Sequence, residues 1–335
     1  MRLRFPLPAL SLRITCFCAL CWSITGCTKE KLSDCPPSGR YAVAFEYVNH
    51  TDALQPDRFT TDVRQIDLYA FDASDRFVKT IVRTGDPFPE DFRIEPELPA
   101  GDYTLVAWGN RTDEMVPNPD FTAGKTTLQE AMLTLARDQE QNVSHELTPL
   151  FHASKRVTVD YSADRTDILP MTRNTKRLNL RIQWFDDEQP CAHGCAEGVR
   201  ARILDPDGGI LKFDNSVVAS GTELTYYSHR HATNQDANSM EETFSLLRLT
   251  EEKKLTLVVE RVNPDGTVAE LYRADLVKDL ILKHPNSRSQ ADLDKQDTYD
   301  VELRFDDTTP DGNDTYMQTA ITVAGWTIIL QDTGI

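Results

Sequence analysis

The chain has 335 residues, 53 of them acidic and 36 basic, for a formal charge of −17. That balance excludes a nucleic-acid binder, which needs a basic face. The 40% hydrophobic content supplies real cores, in a length that suits about two domains. After residue 26 no stretch is apolar for long enough to spell a membrane-spanning helix.

Arg2, Arg4 and Arg13 lead into an apolar run from Ile14 to Ile24, and no acidic residue precedes Glu30. A basic start, a short apolar core and small residues at a cut site read as a secretory signal over residues 1–26. The core is about half of the ~20 residues that a spanning helix needs. Ser23-Ile24-Thr25-Gly26-Cys27 sets an aliphatic and two small residues ahead of a cysteine, similar to the lipobox of bacterial lipoproteins. Small Gly26 lets a peptidase approach the bond, and the Cys27 thiol is the nucleophile that takes a diacylglycerol. Cys27 is therefore the expected lipid attachment, carrying fatty acid such as palmitate. Buried acyl carbons contribute ~0.8 kcal/mol per CH2, so several chains hold a protein on a bilayer without a helix. Loss of the three arginines takes the charge from −17 to −20, which suits a body held off an anionic membrane surface.

Cys35, Cys191 and Cys195 remain beyond the acylated residue, an odd number for an oxidising compartment. One disulfide and one free thiol is the simplest account. Cys35 bonded to Cys191 or Cys195 would clamp the N-terminal segment to the second half, or Cys191 and Cys195 close locally. With His193 those two offer only three metal ligands and no second cluster nearby, so no metal is expected.

Residues 27–39 form a polar, proline-containing tether. Tyr41, Val43, Phe45 and Tyr47 then alternate on one face of a half-buried strand. Residues 49–61 read as a polar loop. Val63–Phe71 and Phe77–Val82 flank Asp72-Ala-Ser-Asp75 as a hairpin. Pro99 and Gly101 bend the chain into a strong strand through Trp108. Leu128, Met132, Leu135 and Ala136 lie at helical spacing, so the pattern predicts a helix over 127–138, with Glu130 in its first turn. Leu150–Ala153 and Arg156–Val159 are short strands closing the first unit.

The second unit begins near Pro170. Leu178, Leu180, Ile182 and Trp184 alternate along a strand over 175–185. Val199–Leu204, a turn at Asp205-Pro-Asp-Gly-Gly209 and a return at Ile210–Phe213 predict a second hairpin, echoing the one at 66–81. Strands follow at 224–226, 243–249, 255–259 and 267–272, then a helix over 274–283 stopped before Pro285, then strands at 299–305 and 321–330. This density of short strands and turns makes the chain mainly β, with two tandem β-sandwich domains, 40–168 and 169–335, each carrying one short helix.

No catalytic constellation stands out. The seven histidines are scattered, and Gly-x-Ser-x-Gly, His-Glu-x-x-His and phosphate-cradling glycine loops are missing. His229-Arg-His231 reads as part of a solvated loop. Asp306 to Asp314 lacks the spacing and terminal Glu of a calcium loop and reads as acidic surface. Trp108, Trp184 and Trp326 fall on strand patterns and read as core. No enzyme, cofactor or metal is expected.

Several stretches stand in a particular order: the lipobox, Leu32-Ser-Asp-Cys-Pro36, Leu68-Tyr-Ala-Phe-Asp72, Leu98-Pro-Ala-Gly-Asp-Tyr103 leading to Ala107-Trp-Gly-Asn110, Asn174-Thr-Lys-Arg177, Leu293-Asp-Lys-Gln-Asp-Thr-Tyr299 and the strand of Trp326. Together they resemble the FimB-type fimbrial anchor lipoproteins of Bacteroidales, the minor-fimbrium anchor family. The resemblance implies transthyretin-like sandwiches, a lipid-anchored place on the outer membrane facing outward, and a role in cell adhesion at the base of a fimbrium. Lys29-Glu30 is similar to the short surface-export signal of that phylum. The implied partners are fimbrial stalk subunits, engaged by strand exchange, and the outer membrane. An anchor then needs an open sheet edge, and the expected polymerisation edge is the last strand, with Ile321, Val323, Trp326, Ile328 and Leu330. The alternatives are a tip or accessory subunit of the same fimbrium, or a surface lipoprotein binding carbohydrate or host protein through its Trp residues and polar loops.

Overall fold

The computed structural model describes residues 39–331 apart from 186–197, 217, 219–221, 235–237, 307–314 and 324. Residues 1–38, with Cys27 and Cys35, and likewise Cys191, Cys195 and most of the acidic stretch to Asp314, lie outside the described residues.

The alternation of Tyr41, Val43 and Phe45 becomes β1 (Tyr41–Glu46) with those three side chains buried. The hairpin at 66–81 is β2 (Gln65–Asp72) and β3 (Phe77–Thr84). β4 (Arg93–Ile94), β5 (Gly101–Gly109), β6 (Met115–Asn118), β7 (Met132–Leu135), β8 (Asn142–Val143), β9 (Phe151–Val159), β10 (Arg165–Pro170) and β11 (Thr172–Arg173) follow. The second half gives β12 (Thr175–Phe185), β13 (Val199–Asp205), β14 (Ile210–Lys212), β15 (Leu224–Tyr227), β16 (Arg230–Asn234) and β17 (Ser239–Leu247). β18 (Thr256–Val262), β19 (Val268–Asp275), β20 (Thr298–Asp306), β21 (Thr315–Val323) and β22 (Trp326–Gln331) complete it. The protein is mainly β, in several sheets.

A three-stranded sheet, β10-β1-β4, packs on a five-stranded one, β11-β9-β5-β2-β3. Between them lie Tyr41, Val43, Ile66, Leu68, Leu105 and Leu169. The other face of the five-stranded sheet is buried too. Tyr69, Phe71, Val106 and Trp108 join a larger core with Leu178, Ile182, Phe244, Val301 and Leu303 of the second half. That double burial explains why β2 and β5 read as near-continuous apolar runs rather than alternating ones. The second half supplies two more sheets, β16-β17-β12-β20-β21-β22 and β19-β18-β13-β15-β8, while β14-β7-β6 forms a small fifth. β8 and β7 come from the first half, so strand pairing crosses between halves at β8–β15 and β7–β14.

Two stretches singled out in the sequence meet in space. Lys176 is buried, and its ammonium donates to the Asp294 carbonyl at 2.9 Å and lies 3.7 Å from Asp297. Arg173 also faces Asp297 at 3.7 Å, and the Tyr47 hydroxyl at the end of β1 donates to its Oδ2 at 2.9 Å. Burial pulls the Lys176 ammonium down to about 8, against the opposing pull of Asp297 and Asp294. Burial, then the nearby Asp297 carboxylate, raises the Tyr47 phenol.

Four expectations are corrected. Residues 127–138 are not a helix. Thr127 and Glu130 do meet as at a helix start, with the Glu130 carboxylate accepting from the Thr127 amide at 3.0 Å, but the turn ends there and the chain enters β7. Ala131, Leu133 and Leu135 are buried on one side, a period-two pattern that a short apolar stretch cannot distinguish from a helical one. The hairpin over 199–213 does not form either. Its turn is present, with Gly208 and Gly209 both at positive φ, yet β13 pairs with β15 and β18 while β14 leaves to pair with β7. The helix over 274–283 is a π turn at Leu276–Leu280 followed by a 3-10 turn at Ile281–Lys283, capped by Asp275. Finally, His229-Arg-His231, expected in a solvated loop, runs into an exposed strand, with Arg230 and His231 opening β16. Two helices were not predicted, Phe59–Asp62 and Gln290–Lys295.

Candidate functional site

The expected edge is a hairpin rather than one strand. β21 and β22 pair antiparallel across a turn that contains Gly325 at φ +78°, with Val323 opposite Trp326 and Ile321 opposite Ile328. Ile321 and Val323 therefore sit on the inner limb and are buried in the main core. Ile328 and Leu330 are partly buried against that core. Trp326 is 70% exposed and Ile329 54%. Trp326 is thus not core. It begins the outermost strand, where no further strand covers it among the described residues. Trp108 and Trp184 are buried, as their strand positions require.

His284 pins the start of β22. It is fully buried, its Nδ1 accepts from the Asn286 amide at 3.1 Å, and its Nε2 therefore carries the proton and donates to the Trp326 carbonyl at 2.9 Å. The Thr322 and Thr327 hydroxyls meet across the hairpin at 2.7 Å.

An edge strand offers a row of unpaired backbone groups, and proteins guard such edges with charge, proline or shortness. The other edges of the described sheets are guarded. β3 carries Lys79 and Arg83, β19 carries Glu270 and Arg273, and β16 carries Arg230. β10 has Arg165 and Pro170, β6 has Pro117, and β14 has Lys212. β4, β8 and β11 are two residues long. β22, Trp-Thr-Ile-Ile-Leu-Gln, has none of these devices. It is chemically a template for one more strand.

The profile of the fimbrillin-A associated anchor proteins Mfa1 and Mfa2 matches residues 32–332. The chain belongs to that family. It is accordingly a fimbria-associated protein of the cell envelope, in a family not known for enzymes. Solved structures share the fold. A Bacteroides thetaiotaomicron protein proposed to bind polysaccharide superposes with a TM-score of 0.74 at 21% identity, covering 89% of this chain and 100% of that one. A proposed adhesin of Bacteroides ovatus gives 0.71 at 19%, covering 88% and 96%. The fimbrial anchor protein Mfa2 of Porphyromonas gingivalis gives 0.69 at 22%, covering 86% and 98%. No curated protein matches the chain. Among the described residues no helix is long and apolar enough to cross a membrane, and no group of three or more His, Cys, Asp or Glu is placed to hold a metal.

Proposed function

We propose that this chain is the base of a fimbrium, lipid-held at Cys27 on the outer face of the outer membrane and accepting a strand from the first stalk subunit along β22. In this reading residues 1–26 are removed, 27–39 are a tether, and 40–168 and 169–335 are the two working units, with Cys35 and one of Cys191 or Cys195 free to clamp tether to body. The observation that carries it is the unguarded outer edge of β22. Main-chain hydrogen bonds along such an edge give affinity, and pockets beside it give register. Trp326 and Ile329 supply apolar surface for the incoming strand.

Two changes test the two ends separately. Cys27→Ser should release the protein from the membrane fraction and abolish palmitate labelling. Ile329→Lys places a charge on the open edge, which blocks strand addition, so cells carrying it should shed fimbriae into the medium while the variant itself stays in the membrane with an unchanged melting temperature. Fimbriae still attached to cells carrying Ile329→Lys would remove the edge from the reading. Membrane retention of the Cys27→Ser protein would remove the lipid.

A further inference from the structure

The outer face of the six-stranded sheet is occupied by a different kind of surface. Because β12 turns Leu178, Leu180, Ile182 and Trp184 inward, Asn179 and Arg181 stand on the opposite side. There a depression of about 500 Å3 runs across the sheet from β16 to β22, within the ~300–1,000 Å3 range of small-ligand sites. Its charged lining is Arg181, Arg230 and Arg304 with Glu241, Glu242, Asp300 and Glu302, three cations against four carboxylates. The hydroxyls of Thr243, Thr322 and Thr327 border it, and no aromatic ring lines it.

The polar groups are partly matched to one another. Asn179 donates to Asp300 at 2.7 Å, Thr243 donates to Asn179 at 3.3 Å, and Arg304 pairs with Glu302. Arg181, on the central strand, differs. It stands opposite Glu241 on β17 and Glu302 on β20, yet its Nε is buried with no hydrogen-bond acceptor. An N–H left in that state is unsatisfied, and an acceptor that reached it would restore a hydrogen bond.

The lining selects the chemistry of that ligand. A strongly anionic molecule bound at Arg181 would meet carboxylates on both flanking strands. A cation would meet three guanidinium groups. An apolar molecule would cover Leu180 and Val301 but strand the charged side chains around them without water. An extended peptide would satisfy its backbone at a strand edge, whereas the backbone groups beneath this face are already spent in the sheet ladders. What fits is a neutral ligand each of whose groups both accepts and donates, which describes the adjacent hydroxyls of a sugar ring. We propose that this depression binds a neutral saccharide, with Arg181 donating to its hydroxyl oxygens and Asp300 and Glu241 accepting from its hydroxyl hydrogens. The site lies on the face of the sheet, so it is independent of strand addition at the β22 edge.

The experiment titrates the detergent-solubilised lipoprotein with neutral glucan, mannan, galactan and xylan oligosaccharides, followed by ligand-observed NMR, alongside polygalacturonate fragments and an extended polar peptide. One neutral class should bind saturably. Arg181→Gln and Asp300→Ala should each weaken it about tenfold or more, as expected for losing a charge-assisted hydrogen bond, with melting temperatures retained. Failure of every neutral class to bind, binding undiminished in both variants, or binding of only the acidic glycan or the peptide would each overturn the assignment.

Discussion

His152 shows how much one side chain can decide. It is buried beside Trp108, ring centroids 4.6 Å apart, and its Nε2 donates to the Phe213 carbonyl at 2.8 Å. Burial pushes its pKa down to about 4, only partly countered by that hydrogen bond. The unfolded chain takes up this proton near pH 6.5, whereas the folded one refuses it until about pH 4. Stability contributed by the neutral ring is therefore whole above pH 6.5 and lost as pH falls from 6.5 to 4, on the order of 3 kcal/mol in all. In chemical denaturation between pH 6.5 and 4.5, His152→Gln, which keeps a donor for Phe213, should flatten the slope seen in the parent. An unchanged slope would assign the acid sensitivity to other groups. No periodicity marks such a histidine in a sequence. It looks like any other among seven, because what keeps it neutral is burial in the folded core, beside a hydrogen-bond partner 61 residues away.

Strands were legible wherever alternation was long. β12 runs over the residues its pattern marks, Thr175–Phe185, and the β2–β3 hairpin forms around its Asp-rich turn. Partners were less legible, because a turn sequence fixes a bend and not what the chain does afterwards. At Gly208-Gly209 two consecutive left-handed residues swing β14 away from β13. Gly209 accepts the Leu135 amide at 2.9 Å. A Cβ there would lie 2.9 Å from Leu224 Cδ2 and 3.1 Å from Leu135 Cβ. Gly209→Ala should therefore cost about 1–3 kcal/mol through strain and crowding, read as a drop in urea midpoint at constant m. The Asn-terminated β16, by contrast, hid in polar composition, because an edge strand needs no apolar alternation. Ser289 and Asp292 form a capping box ahead of Gln290–Lys295, a helix-start signal present in the sequence. The final hairpin was missed for a simpler reason. Ala324-Gly325 sits inside an apolar run, and one glycine at the right place is enough to fold it back.

At the scale of the whole molecule, the Lys176–Asp297 cluster holds the halves together. Tyr47 reaches it from β1, Lys176 and Arg173 from the start of the second half, and Asp297 from the residue before β20. Asp297→Ala would remove one of the two carboxylates that offset the buried Lys176 ammonium, Asp294 being the other, and should cost up to about 3 kcal/mol. Asp297→Asn keeps an acceptor for Tyr47 and should fall between. A calorimetric scan in which Asp297→Ala melts no earlier than the parent would deny the cluster this role. The sequence announced these two stretches by resemblance, but their meeting across more than 100 residues is a property of the fold.

The parallel pairing of β12 with β20 has a mechanical consequence. Nine consecutive residues of each strand are in register, Arg177 to Phe185 against Thr298 to Asp306, and in the proposed arrangement they lie between the half that would carry the tether and the final hairpin. Traction on a filament attached at β22 and directed along the strands would slide one against the other. It would then load all the bonds of that ladder at once, as a lap joint does, instead of opening them one by one from an end.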